Sequence, residues 1–321
     1  MPGSWVQLRY ERSPSFLDAR LDPNEEVLIG RFPGQGPIAA MAVRCPRQVY
    51  CNGQPRQVGY LSALRVAPAY QGGTMLWRGY HLLRQLDQQQ PLDEHLATIV
   101  DGNELARQLL VERARPSWPH FRRYATLCTL ALAVGRRYSL GGLQLGDQAP
   151  LRAFQEWGPQ RQFFPTAPDP APWEQRQWLT SDQGVAALRD LSPGRQMVVH
   201  AYGSRLLAAL RPLYNLGQRL RHGPQLPAPG APLKGAYAGY VLLDGVRPAT
   251  FGRLLEGLLE LARQRGKSWL YLGLLETDPH LPMALTYPHT LYRSQLYRLN
   301  WAESPLLDLD DRPGYLELAT L

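Results

Sequence analysis

The chain has 321 residues, 44% of them hydrophobic, which is length and apolar content enough for two domains with their own cores and excludes wholesale disorder. Its formal charge is +8, carried almost wholly by arginine, since Lys234 and Lys267 are the only lysines. A basic surface suits a polyphosphate cofactor, an acidic substrate or nucleic acid. The arginines are spread along the chain, however, with pairs at Arg122-Arg123 and Arg136-Arg137 and no long run, which argues against a nucleic-acid module. No run of about 18 apolar residues exists and the start, MPGSWVQLRYERS, lacks a signal-peptide pattern, so the expectation is a soluble cytoplasmic protein with no membrane partner. The odd number of cysteines agrees with that compartment: Cys45 and Cys51 lie close on one expected strand and cannot bridge, and Cys128 is alone. Neither the cysteines nor the scattered histidines show metal-ligand spacing, and no metal is expected.

In chain order, WVQLRY (5–10) alternates and reads as an entry strand, and Arg12 to Leu21 as a short helix with Ser13 as its cap. Val27 to Phe32 and Ile38 to Tyr50 follow as strands, parted by the turn residues Pro33 to Pro37. Asn52-Gly53 is a hairpin signal joining the second of them to Gln57–Val66. Pro46 predicts a bulge or an early end to pairing. From Tyr60 to Leu86 the pattern changes from a buried strand, ended by Pro68, through Gln71-Gly72-Gly73 to helical spacing at Leu76, Tyr80, Leu83 and Leu86. A strand, a glycine turn and a helix aim the free N–H groups of the first helical turn, and the positive end of its dipole, at whatever lies in front; a phosphate is the expected guest.

His95 to Val100 reads as a second buried strand parallel to the first. Asp101 and Glu104 are then spaced like a capping box for a helix with Ala106, Leu109 and Leu110 inward. Phe121–Val134 and a short Arg137–Leu145 are the next strands.

The stretch around the glycine turn resembles the acetyl-CoA loop of the GCN5-related N-acetyltransferase (GNAT) superfamily. Val66, Pro68 and Gln71 match that loop, while Thr74 and Leu76 stand at positions usually small in the family, with glycine at Gly72 and Gly73 instead. Asn103-x-x-Ala106 and the apolar pair after it resemble the sequence beyond the family's fifth strand, with Leu110 where many members carry the tyrosine that protonates the leaving thiolate. The resemblance implies a mixed α/β (α+β) fold of mostly antiparallel twisted sheet flanked by helices. It implies a GNAT-like acetyl-CoA-binding unit over 1–145.

The second half reads as a helix at Pro150–Trp157, a proline-rich stretch at Phe164–Trp173, and a helix at Val185–Leu191. Strands are expected at Gln196–Tyr202 and Leu206–Leu213, then a linker over 222–235. A strand (Ala236–Leu243), a helix begun at Thr250, a buried strand (Ser268–Leu275) and closing strands at Tyr292–Trp301 and Tyr315–Leu321 complete it. The order looks like a second, degenerate GNAT-like unit over 146–321, whose turn Asp244-Gly245-Val246-Arg247-Pro248 is not a pyrophosphate loop.

By that resemblance the chain is expected to be an acetyl-CoA-dependent N-acyltransferase acting on a small-molecule or peptide amine. The alternative is a GNAT-shaped acyl-CoA or small-ligand binder without catalysis. Cofactor contacts are expected from Leu64, Arg65, Val66, Gln71, Gly72, Gly73, Thr74, Met75, Asn103 and Arg107. The candidates for acid–base work are Asp101, Glu104, Tyr124 and Tyr287; an amine arrives as ammonium and needs a base, and the thiolate needs a donor. Glu276 to His280 is a further dense group of titratable residues, whose default reading is a polar loop. Acceptor identity and oligomeric state are open.

Overall fold

The computed structural model describes residues 6–31, 36–113, 117–220 and 223–321; Trp5, Phe32, the turn residues 33–35 and His222 of the expectations above lie outside them. The strands are β1 (Val6–Arg12), β2 (Glu26–Arg31), β3 (Ile38–Cys51), β4 (Gln54–Val66), β5 (Glu94–Val100), β6 (His120–Ala133) and β7 (Gln144–Gly146), then β8 (Phe164–Pro165), β9 (Gln175–Ser181), β10 (Gly184–Asp190), β11 (Arg195–Tyr202), β12 (Gly235–Leu243), β13 (Trp269–Leu275) and β14 (His289–Asn300). The helices are α1 (Met75–Gln89), α2 (Glu104–Arg107), α3 (Leu151–Trp157), α4 (Arg205–Leu220), α5 (Pro248–Gln264) and α6 (Leu281–Ala284).

One large sheet runs β2-β3-β4-β5-β14-β6-β13-β12-β10-β9-β7, with β8 added on β3; β1 pairs only with β11. The ladders β4–β5 and β12–β13 are parallel and the others antiparallel. Each parallel pair is bridged by one helix, α1 or α5, as a parallel crossover requires. Near the middle, β14 lies between β5 and β6, and β6 pairs with β13, so strands from early and late in the chain interlock.

The same irregularity occurs on both sides of that centre. On β4 the register jumps from Val43↔Ser62 to Met41↔Arg65, leaving Ala63 and Leu64 opposite a single residue. On β12 it jumps from Ala187↔Gly239 to Val185↔Leu242, leaving Tyr240 and Val241 in the same position. These are β-bulges. Their first residues, Ala63 and Tyr240, have φ of 53° and 50°, a left-handed conformation seldom adopted by residues with a side chain. In each case the parallel ladder ends two residues earlier, at Leu61↔Ala97 and at Ala238↔Leu272.

The largest core cluster lies under α5, where Phe251, Leu254, Leu255 and Leu258 pack on Leu130, Leu132, Leu270 and Leu272. A second cluster holds α1 to the first parallel pair through Tyr80, Leu83, Ala97, Ile99 and Leu110.

Several expectations are corrected. Of the helix expected at Val185–Leu191, all but the last residue lies in β10; residues 184–190 are buried throughout, so no alternation marks the strand. Leu206–Leu213 lies in α4, not a strand, despite Pro212 within it. Arg12–Leu21 forms turns, with Arg12 ending β1. Tyr315–Leu321 contains only one short turn, Leu318–Thr320. The residues expected as the last strand of the first unit supply β7, which pairs with β9 at the far edge. The helix α5 starts at Pro248, with Arg247 rather than Thr250 at its N-cap. Pro46 makes no bulge and stays in register opposite Gly59 of β4, while on the β2 side pairing ends at Arg44, so the early end to pairing expected there occurs on that edge alone.

Candidate functional site

Beyond Leu61 and Ala97 the strands of the first parallel pair part. β4 stays bonded to β3 as far as Val66↔Ala40, and β5 stays bonded to β14 as far as Val100↔Ser294, so a wedge opens between their carboxyl ends. Leu64 and Arg65 on one wall and Val100 on the other are exposed, and Leu105 is more exposed still. Val66 is half-buried. This opening lies outside the strand ends, where open α/β sheets bind ligands.

The glycine turn closes one end of the wedge. The Gln71 side chain donates to the Val66 carbonyl at 3.2 Å and so braces the turn at the surface. Gly72 has φ of 80°, and a Cβ added there would meet nothing within 4 Å, so the turn is open on that side. Thr74 occupies the N-cap of α1 without a capping hydrogen bond, and the first turn carries no acidic residue. The N–H groups at the start of a 15-residue helix are thus left to an incoming acceptor. Met75 is buried against Gly30 and offers only its backbone, and Leu76 packs on the Tyr80 cluster, out of the turn's mouth.

At the end of β5 the cap of α2 is Asn103, which accepts from the Ala106 N–H at 3.3 Å; Asp101 and Glu104 do not form the expected capping box. Leu109 is exposed while Leu110 is buried, because α2 is a single turn that passes into a wider π turn over Gln108–Glu112. Glu104 is exposed and bound to Arg107, which also pairs with Glu112, so one guanidinium bridges two carboxylates at the surface.

Asp101 instead accepts from Gln295 Nε2 of β14 at 3.0 Å, and Gln295 Oε1 in turn accepts from Arg123 Nε at 2.6 Å. Arg123 lines a cavity of about 580 Å³ together with Tyr124, Thr126, Glu276, Asp311 and Gly314. The register explains the meeting. β5 and β13 run in opposite senses, and both end level with Leu127 of β6, through Val100↔Ser294↔Leu127 and Leu275↔Leu127. Tyr124 packs edge-on against Phe163; burial pushes its hydroxyl pKa up, opposed by the nearby Arg298 guanidinium. Glu276 is exposed at the cavity.

Tyr287 does not join this group. It donates to Glu256 of α5 at 3.3 Å, and burial followed by the Glu256 charge pushes its pKa up to about 12. It precedes His289, which pairs with Leu132, six positions along β6 from Thr126 and so about 20 Å away by strand rise.

The corresponding wedge between β12 and β13 is filled by the chain itself. Glu317 accepts from the Tyr240 N–H at 2.8 Å, from Arg189 Nη1 at 3.0 Å and from the Tyr315 hydroxyl, and Leu318 lies against Gly273. Asp169 and Glu174 complete the surroundings of the fully buried Arg189. The start of α5 is closed as well. The Arg247 N–H donates to His280 Nε2 at 3.2 Å, which makes His280 Nδ1 the donor to Asp278, itself paired with Arg161. Asp278 and His280 are therefore structural.

Nothing in the sequence marks Gln295, Asp311 or Glu317 for these places, since each arrives from a distant part of the chain. The bulge at Ala63 carries no motif either. Among the described residues no group of three or more His, Cys, Asp or Glu side chains could hold a metal, and no helix is long and apolar enough to cross a membrane.

No protein-family model matches the sequence, and no curated protein is similar to it in sequence. Solved structures are similar in fold. N-myristoyltransferase from Saccharomyces cerevisiae, with bound myristoyl-CoA, aligns with a TM-score of 0.56 at 8% identity, covering 91% of this chain and 72% of that one. A GCN5-related N-acetyltransferase from Anabaena variabilis aligns with a TM-score of 0.46 at 10% identity, covering 92% and 73%. With the parted parallel strands, the bulge and the glycine turn, the first likeness establishes the fold: this chain has the GNAT fold.

Proposed function

We propose that the protein is an acyl-CoA-dependent N-acyltransferase that uses the first wedge alone and takes acetyl-CoA as donor. The observation that carries the reading is the contrast between two equivalent openings. The one beside Ala63 is open and flanked by an uncapped helix, whereas the one beside Tyr240 holds the chain's own Glu317 carboxylate on its bulge N–H. An acyl carbonyl oxygen on the Ala63–Leu64 backbone would take the place that the Glu317 carboxylate takes on Tyr240. Residues 1–145 and 146–321 are then two units of a tandem repeat that exchange strands β6 and β14.

In this reading the N–H groups of Gly72, Gly73, Thr74 and Met75 meet the pyrophosphate, and Leu64 to Val66 flank the pantetheine arm. Asn103 shapes the opposite wall through α2, with Arg107 behind it. The cavity beside Tyr124 takes the acceptor amine. Glu276 or Asp101 removes the ammonium proton, the freed nitrogen attacks the thioester carbon, and the C–S bond breaks. The Tyr124 hydroxyl is the nearest donor for the departing sulfur.

The non-catalytic reading is favoured by one observation: Leu110, at the position where many GNAT members carry the acid, is buried in an apolar cluster. Calorimetric titration with acetyl-CoA, then thiol release in the presence of amines, tests both readings. Binding without turnover supports the second reading.

A further inference from the structure

The helix α4 presents its apolar side outward. Its inner side is polar: Asn215 Nδ2 donates to the Leu226 carbonyl at 2.9 Å and its Oδ1 accepts the Leu226 N–H at 2.8 Å, while Arg211 Nη1 reaches the same carbonyl at 3.3 Å. On the outer side Leu206 and Leu213 are each 67% exposed, Leu216 56%, Leu210 47% and Tyr214 42%. At 100° per residue these five fall within an arc of about 160°, a full amphipathic face. A surface helix ordinarily turns such a face to the core. A contiguous exposed face of leucines marks an interaction site.

The sequence of this stretch carries charge of one sign. From Arg205 to His222 the sequence has four arginines and no Asp or Glu. At the carboxyl end of α4, Gln218 lines a cavity of about 830 Å³ with Arg136, Arg137, Arg263 and Lys267, and among the described residues no carboxylate lines it. Arg263 and Lys267 are paired with Glu260 and Asp190. Arg136 stacks over Tyr138, and among the described residues neither it nor Arg137 pairs with a carboxylate.

We propose that α4 is a membrane-surface helix: its leucine face enters the boundary between headgroups and acyl chains of an anionic bilayer, while Arg136 and Arg137 meet lipid phosphates. A convex apolar arc with cationic flanks suits this partner, because a bilayer needs no complementary groove and the anionic leaflet attracts basic residues. At 16 residues the helix lies on the surface and does not cross. The inference does not depend on the acyltransferase reading.

The test is flotation of the full chain with vesicles of phosphatidylcholine alone and of phosphatidylcholine mixed with phosphatidylglycerol. The wild type is expected to float with the mixed vesicles, less so at high salt, and to stay in solution with phosphatidylcholine alone. Leu210→Glu with Leu213→Glu should lower the bound fraction about tenfold or more, and Arg136→Gln with Arg137→Gln about tenfold. Leu151→Glu, at a 51% exposed leucine of α3, should leave it unchanged. The four substituted positions near α4 are solvent-facing or lack ion pairs, so unchanged thermal unfolding of each variant checks that the fold is intact. Absence of flotation with mixed vesicles overturns the proposal. So does equal flotation with phosphatidylcholine, or a dimer in sedimentation that Leu213→Glu dissolves without any vesicle binding, which would assign the face to a second copy.

Discussion

Glu317→Ala should loosen the second half without touching the first wedge. The substitution leaves the Tyr240 N–H and the Tyr315 hydroxyl buried with no acceptor, and it removes one of three carboxylates around Arg189. Each orphaned donor costs about 1–3 kcal/mol. Arg189 keeps Asp169 and Glu174, so its charge stays compensated and the full penalty of a stranded buried ion does not apply. A loss of about 3 kcal/mol is the central expectation. Unfolding entropy of about 2.1 cal/mol/K per residue amounts to roughly 0.7 kcal/mol/K over the chain, so the thermal midpoint should fall by about 4 °C. Glu317→Gln, which keeps an acceptor oxygen, should lose about half as much. Scanning calorimetry on the three proteins measures this. A midpoint for Glu317→Ala within roughly 1 °C of wild type would refute the seating of this carboxylate in the second wedge.

Acid should weaken the same region. Burial alone would raise the Asp169 pKa, but the Arg189 and Arg47 guanidinium charges and hydrogen bonds from Tyr240 and Arg189 hold it at about 2. Glu174, Asp87 and Asp278 are also lowered. A folded value below the unfolded one, near 3.9 for Asp, gives stability that is present above about pH 4 and lost as pH falls toward 2. Urea midpoints should therefore drop steadily through that window, and a flat profile would contradict the assignment. Ala63→Val places a β-branched residue at φ of 53° and should cost about 1–3 kcal/mol by urea titration, whereas Ala63→Gly should not destabilise. On the proposed reaction, whichever of Glu276→Gln and Asp101→Asn removes the base should lower kcat by roughly 10²–10⁴-fold with donor affinity unchanged. Unchanged kcat in both variants would exclude a carboxylate base.

What the sequence discloses is what lies close in the chain. Asn52-Gly53 forms the hairpin, with φ of 52° and 77°, because the turn is written in two adjacent residues. The glycine turn and α1 are legible for the same reason. Val185–Leu191 misleads because a strand covered on both faces has no period to read. The segment of α4 misleads because Pro212 interrupts it and its apolar face has no core beneath. The interlocking of β6 and β14, the meeting of Asp101 with Gln295 and the filling of the second wedge by Glu317 are long-range pairings with no local signature. Asp101 and Tyr124 come near one cavity, while Glu104 and Tyr287 have local partners elsewhere.

Whether the first wedge holds an acyl-CoA is decided by isothermal titration of the wild type and of Gly73→Asp with acetyl-CoA and, separately, with myristoyl-CoA. Gly73 faces open space apart from the Tyr70 carbonyl at 3.5 Å, so the new carboxylate is accommodated by the fold and repels only an anion at the start of α1. One acyl-CoA should bind per wild-type chain, and that binding should be lost in Gly73→Asp, with equal thermal midpoints. Two molecules per chain, binding that Gly73→Asp leaves intact, or no binding of either acyl-CoA would contradict it.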